Sequence, residues 1–386
     1  MRPEITYLLD VVRYILNEQV NEVPFPSAEI DWKSLFSFAK QHSIFNMLYY
    51  GVKESPEDNK PDATFYAKLD YDTMHGIAIG VNQEEAAKEI EQTFEQEGVH
   101  LLAVKGICTK RRYPFPELRT MGDIDLLYQA SQTKDMQDVM RKLGYGDGDE
   151  GRKHDSFFRL PCINIEMHRE LLAADSKYYT YYADIWERVA LKEGSHYIHQ
   201  MSLEDEYIYS LLHLVEHFQN GGIGIRFVMD VYVYNHLENV NWDYVEAELR
   251  KLELFEFYKN ISQLAECWFG DRKQQTEDNE LIKQLEAYIL SNGTFGTNRN
   301  AAAVAVAKGG RTKFLLQTVF PNLENMKTMF PWLSKWPILL PYSWVLRGAR
   351  SVLFRRKNIK IQLAQYQQGD KEYGDRLKTF YGKCGL

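Results

Sequence analysis

Two aspartates one residue apart, in Met121-Gly-Asp-Ile-Asp-Leu-Leu-Tyr128, place the tightest demand on how this chain can fold. The apolar density of the segment predicts a strand. Side chains alternate across a strand, so Asp123 and Asp125 share one face and Ile124 and Leu126 the other. One face must enter a core while the opposite face carries two neighbouring carboxylates. Such a pair repels unless a cation lies between its members, and hard oxygen donors suit Mg²⁺ or Mn²⁺. Two solvated aspartates on an exposed strand would give the same short pattern, so the surroundings must decide.

Three features of the surroundings favour a site. Gly122 removes a side chain beside the first aspartate and lets a ligand approach the backbone. Upstream, the apolar run His100 to Val104 predicts a buried strand that ends at Lys105-Gly106, where a glycine turn opening a helix could cradle phosphate. Downstream, alternation over Ile163 to Arg169 puts Ile163, Ile165 and Met167 on one face and Asn164, Glu166 and His168 on the other. Glu166 on a neighbouring strand would supply a third carboxylate.

The flanks have a different period. Residues 1–97 read as helical, with helices over the N-terminal segment, over Trp32 to Val52 and over Ala63 to Glu97, stopped by Gly98. The N-terminal segment is amphipathic and is not expected to be a signal peptide. Residues 98–172 form a small α/β unit that includes a helix over Thr133 to Leu143 and a strand over His154 to Leu160. Residues 173–386 look helical again, with a capping-box-like start at Ser202 and an interruption at Gly221 to Gly224. The expected fold is α+β: a small mixed-sheet core flanked by N-terminal and C-terminal helical regions.

Taken together, Lys105-Gly106, Gly122-Asp-Ile-Asp125 and Ile165-Glu166 resemble, in that order, the polymerase-β-like nucleotidyltransferase superfamily. More narrowly, Val104-Lys-Gly, Tyr113-Pro-x-Pro-x-x-Arg119, Gly122-Asp-Ile-Asp-Leu-Leu and Ile165-Glu-Met-His168 look like uncharacterised bacterial nucleotidyltransferases. One departure stands out. Many superfamily members place Ser directly after the turn glycine, whereas here Ile107 follows Gly106 and Lys105 precedes it. The resemblance implies that Asp123, Asp125 and Glu166 hold Mg²⁺ or Mn²⁺ ions and move an NMP from an NTP, with ATP the expected one, to an acceptor hydroxyl, releasing pyrophosphate. The acceptor could be a small molecule, a protein side chain or an RNA end. Lys105, Gly106, Arg119, Gly122 and His168 would serve nucleotide binding. His213, His217, Arg226 and Asp230 would face the same cleft, with Arg226–Asp230 as an alternative helical ion pair at i, i+4.

Rival readings remain at this level. A protein of this fold could bind a nucleotide or a partner without catalysis. His213-Leu-Val-Glu216-His217 also matches an inverted zinc-peptidase pattern, with both histidines on one helical face. A net charge of −8 argues against a general nucleic-acid coat. Local basic runs exist at Lys105 to Arg119 and at Arg347 to Lys360. The four cysteines include no C-x-x-C pair, so reduced thiols in a cytoplasmic protein are expected. No run reaches the ~18 uninterrupted apolar residues of a membrane span.

Overall fold

The computed structural model describes residues 2–18, 23–26, 29–150, 154–161, 163–174, 176–271, 279–294, 296–297, 299–304, 306–307, 319–323, 326, 329–354 and 371–386. The C-terminal part of the basic run at 347–360 lies outside them. Four helices come first: α1 Pro3–Leu16, α2 Trp32–Gln41, α3 Phe45–Glu54 and α4 Ala63–Glu97. Strand β1 Leu101–Val104, helix α5 Gly106–Lys110, strand β2 Ile124–Tyr128 and helix α6 Thr133–Lys142 follow. Next come β3 Gly146–Glu150, β4 His154–Arg159, β5 Ile163–His168, α7 Ile185–Arg188, β6 Ala190–Leu191 and β7 Ile198–Gln200. The remaining helices include α8 Leu203–Asn220, α9 Ile225–Asn235, α10 Trp242–Lys251, α11 Phe255–Phe269 and α12 Glu280–Leu290.

The strands form one mixed sheet in the order β3-β4-β5-β2-β1-β7-β6. β2 runs parallel to β5, and β1 runs parallel to β7; the other neighbours are antiparallel. The α+β expectation is met. Two local expectations are not. The chain from about 180 onward is not wholly helical, because β6 and β7 extend the sheet there, and β3 joins its other edge. The predicted helix Trp32 to Val52 is two helices. Ser43 breaks it with a left-handed backbone (φ 57°), and the break is held from outside by Thr294, whose N–H donates to Gln41 O.

The sheet has two unlike faces. Leu101, Ile124, Leu126, Tyr128, Ile163, Ile165 and Met167 form one apolar cluster with Ala87, Ile90 and Phe94 of α4 and Met136 and Met140 of α6. The Leu, Ile, Phe and Met side chains among them each contribute about 1.5–3 kcal/mol when withdrawn from water, which fixes the strand register. α4 is therefore the sheet's lid. Asp62 caps its start by accepting from Phe65 N, and Gly98 (φ 74°) ends it. The opposite face looks toward α8 and α9. Leu102, Val104 and Leu127 on that face belong to a larger cluster that runs through α1, α2, α3, α8, α9 and α11. The N-terminal and C-terminal helices thus share one core, tied also by Asn17 Nδ2 donating to Phe269 O. No helix among the described residues is long and apolar enough to cross a membrane.

Candidate active site

The acidic residues meet on the face that looks toward α8. Val104 pairs with Asp125, and Asp125 pairs in register with Glu166 across the parallel β2–β5 ladder. Side chains at paired positions of adjacent strands point the same way, so the two carboxylates are direct neighbours. Asp123 lies one residue before β2, where β1 has already turned away, and it lines the same cleft. The strand thus begins three residues later than its sequence pattern indicates, but both aspartates still serve one cavity.

Asp125 is buried, and its Oδ1 accepts from two donors, Lys105 Nζ at 2.6 Å and His168 Nε2 at 2.7 Å. Burial alone would raise its pKa, but Lys105 and His168 outweigh that and hold it well below the usual carboxylate range. Asp123 goes the other way. Burial first, then repulsion from Asp125 and Glu166, pushes its pKa up to about 6. The ligand atoms of Asp125, Glu166 and His168 lie within 4.8 Å of one another. Two of those atoms are carboxylate oxygens, and repulsion from Asp125 and Glu166 disfavours ionisation of Asp123 beside them, a crowding of negative charge that a hard divalent cation relieves. The residues present therefore fit Mg²⁺ or Mn²⁺.

Lys105 reaches Asp125 from an unusual backbone. Its φ of 54° and ψ of −127° end β1 and start α5. Glycine adopts such angles freely; for other residues the strain is of order 1–3 kcal/mol. Gly106, the next residue, is helical and needs no such freedom.

The basic residues form a second layer. Arg119 Nε and Nη2 donate to Asp230 Oδ1 and Oδ2 at 2.7 and 2.8 Å, and Tyr113 Oη donates to Oδ1 at 2.6 Å. Asp230 therefore makes its ion pair with Arg119, from the segment before β2, and not with Arg226 along the helix. Arg119 Nη1 also donates to Gly106 O, which ties the β1–α5 turn to this pair. Arg226 Nη1 donates to Thr120 O at 2.9 Å. Burial and the nearby Arg119 guanidinium lower the Arg226 pKa to about 10.

From α8, His213 and His217 face the same space, with ring centroids 4.5 Å apart and Phe227 of α9 against both. Burial depresses both their pKa values. Among the described residues, no third His, Cys, Asp or Glu joins them in a metal-sized group. The zinc-peptidase pattern therefore lacks the further ligand it needs.

Lys105, Gly106, Arg119, Gly122, Asp123, Asp125, Glu166, His213, His217, Arg226 and Asp230 all line one cleft with a cavity volume of about 230 Å³. His168 lines an adjoining cleft that also contains Glu166, Tyr209, Glu216 and Asn220. The sequence patterns did not single out Thr109, Met121, Ser210 and Phe227, which line the main cleft as well. Ser210 was findable: it is three and seven residues before His213 and His217, on the same helical face.

A family model described as an uncharacterised nucleotidyltransferase matches residues 28–270. The chain belongs to that family. The match takes in the whole sheet, α8, α9 and all the cleft residues named above. Searches of the curated proteins and of the solved structures gave no match. Membership supports a general role in nucleotidyl transfer.

Proposed function

We propose that this protein is a metal-dependent nucleotidyltransferase whose centre is Asp123, Asp125 and Glu166. The observation that carries this reading is the in-register pairing of Asp125 with Glu166, with Asp123 close enough for both to raise its pKa. A divalent cation held by these three would supply positive charge to the α-phosphate and acidity to the acceptor hydroxyl. Arg226 brings a guanidinium to the same cleft, where a triphosphate needs positive charge, and the Arg119–Asp230 pair stands beside it. ATP is the expected substrate. Glu166 borders both clefts, so it lies where an acceptor entering beside His168, Tyr209 and Asn220 would meet the nucleotide. The acceptor is a hydroxyl of a small molecule, a protein side chain or an RNA end. Cys108 and Cys384 carry free thiols, which agrees with a cytoplasmic location.

The test is incubation with each α-labelled NTP, Mg²⁺ and a cell extract as the source of acceptors. Labelled product with pyrophosphate release, lost in Asp125→Asn, is the expected result. Tight binding of Mg·NTP with no transfer under any condition would identify a nucleotide-binding protein without catalysis instead.

A further inference from the structure

The strained turn at the end of β1 puts a lysine where the backbone favours glycine, with the glycine one position later. A Cβ added at Gly106 would meet Arg119 Nη1 at 3.5 Å and Met121 at 3.6 Å, which is ordinary contact. The chain therefore has a glycine where a side chain would fit, and a long charged side chain where φ is 54°. That arrangement carries a conformational cost, which points to a role for the Lys105 side chain. Its contact is with Asp125 Oδ1 at 2.6 Å, and Lys105 lines the carboxylate cleft and two further cavities. A lysine ammonium is a compact charge on a flexible stem with three donors, so it can change partners without moving the backbone.

We propose that Lys105 is an internal counter-ion that a divalent cation displaces from Asp125. In the metal-free protein the ammonium neutralises the buried carboxylate. When a metal takes that carboxylate, the ammonium turns to the phosphates of the incoming nucleotide. This inference rests on the nucleotidyltransferase reading of the same site, and it accounts for the lysine standing at the strained position of the turn.

Calorimetric titration with Mn²⁺ alone, without nucleotide, tests the displacement. Lys105→Met should bind Mn²⁺ at least about tenfold more tightly than wild type, because the ammonium no longer competes for Asp125 and only the His168 contact remains there. Lys105→Arg should not gain affinity, because its permanent charge still competes. With Mn²⁺ saturating, Lys105→Met should bind a non-hydrolysable ATP analogue about tenfold more weakly, since the phosphates lose a cation. Opposite signs for metal and nucleotide are the signature, because general damage to the site would weaken both. Equal or weaker Mn²⁺ binding by Lys105→Met overturns the proposal.

Thermal melting checks the strain independently. Lys105→Gly and Lys105→Met both lack the ammonium, but only glycine relieves the backbone, so Lys105→Gly should melt a few degrees higher. Equal melting temperatures would remove the premise. Absence of Mn²⁺ binding in wild type and Lys105→Met alike would bring down the metal-centred reading itself, and this inference with it.

Discussion

Two buried aspartates line the cleft, each held by a cation, and they are built differently. Asp230 uses both oxygens: Arg119 grips it through Nε and Nη2, and Tyr113 adds a third donor. Asp125 takes both its donors, Lys105 and His168, on Oδ1. A planar two-point guanidinium pair fixes geometry, whereas a one-point ammonium contact only balances charge. The Asp230 knot also joins α9 to the segment before β2 and, through Arg119 and Gly106, to the β1–α5 turn. One aspartate thus holds the cleft together, while the other, on the proposed reading, presents a carboxylate for exchange. On that reading the same buried acid-and-base chemistry serves architecture at one aspartate and reaction at the other.

Exchanging the two roles by mutation should break this contrast. The largest effect is expected from Asp125→Asn, which should lower nucleotidyl transfer by about a thousandfold, measured as pyrophosphate release. Its urea midpoint should fall much less than that of Asp230→Ala. The latter leaves Arg119 buried without its partner and should cost about 3–5 kcal/mol of stability. If Asp125→Asn proves the more destabilising and Asp230→Ala the more inactivating, the assignment of roles is reversed. Tyr113→Phe removes one donor from the closed knot and should cost about 1 kcal/mol in the same denaturation experiment.

A pH signature gives a further check. The folded-state pKa of Asp123 is raised to about 6 from an ordinary value of 3.8. Between those values the native state holds the proton more tightly than the unfolded chain does. Asp123 therefore contributes stability that is lost as pH rises from about 4 to about 6. His213 and His217, with depressed pKa values, act in the opposite direction as pH falls below 6.5. The difference between metal-free wild type and Asp123→Asn isolates the carboxylate. Wild type should lose melting temperature relative to the variant across pH 4–6, and parallel curves would count against the crowded carboxylate centre. The Asp125 contribution has a different window: it is present above pH 3.8 and lost as pH falls below it.

How much of this was legible in the sequence differs from element to element. β2 and β5 were readable because one face of each is apolar with period two, and that pattern also placed Glu166 and His168 opposite the core. α4 was readable from its period and from its glycine stop. β3, with the sequence Gly-Asp-Gly-Asp-Glu, carries no apolar alternation, and β6 and β7 are two and three residues long, so no periodicity could reveal them. The helix break at Ser43 depends on Thr294, some 250 residues away, which local pattern cannot contain. The site was legible as a list of residues but not as a network. That Arg119, and not Arg226, holds Asp230 is a tertiary fact. So is the contact of Lys105 with Asp125, since the strained backbone that makes it possible has no signature in residue spacing.

The most direct test of the central claim is calorimetric titration of Mg·ATP, with the other nucleotides alongside, into wild type and Asp123→Ala. Wild type should bind at least one Mg·NTP in a metal-dependent way, and Asp123→Ala should lose that binding while remaining folded by circular dichroism. Undiminished Mg·NTP binding by Asp123→Ala would contradict the assignment of the three carboxylates as the metal and nucleotide centre.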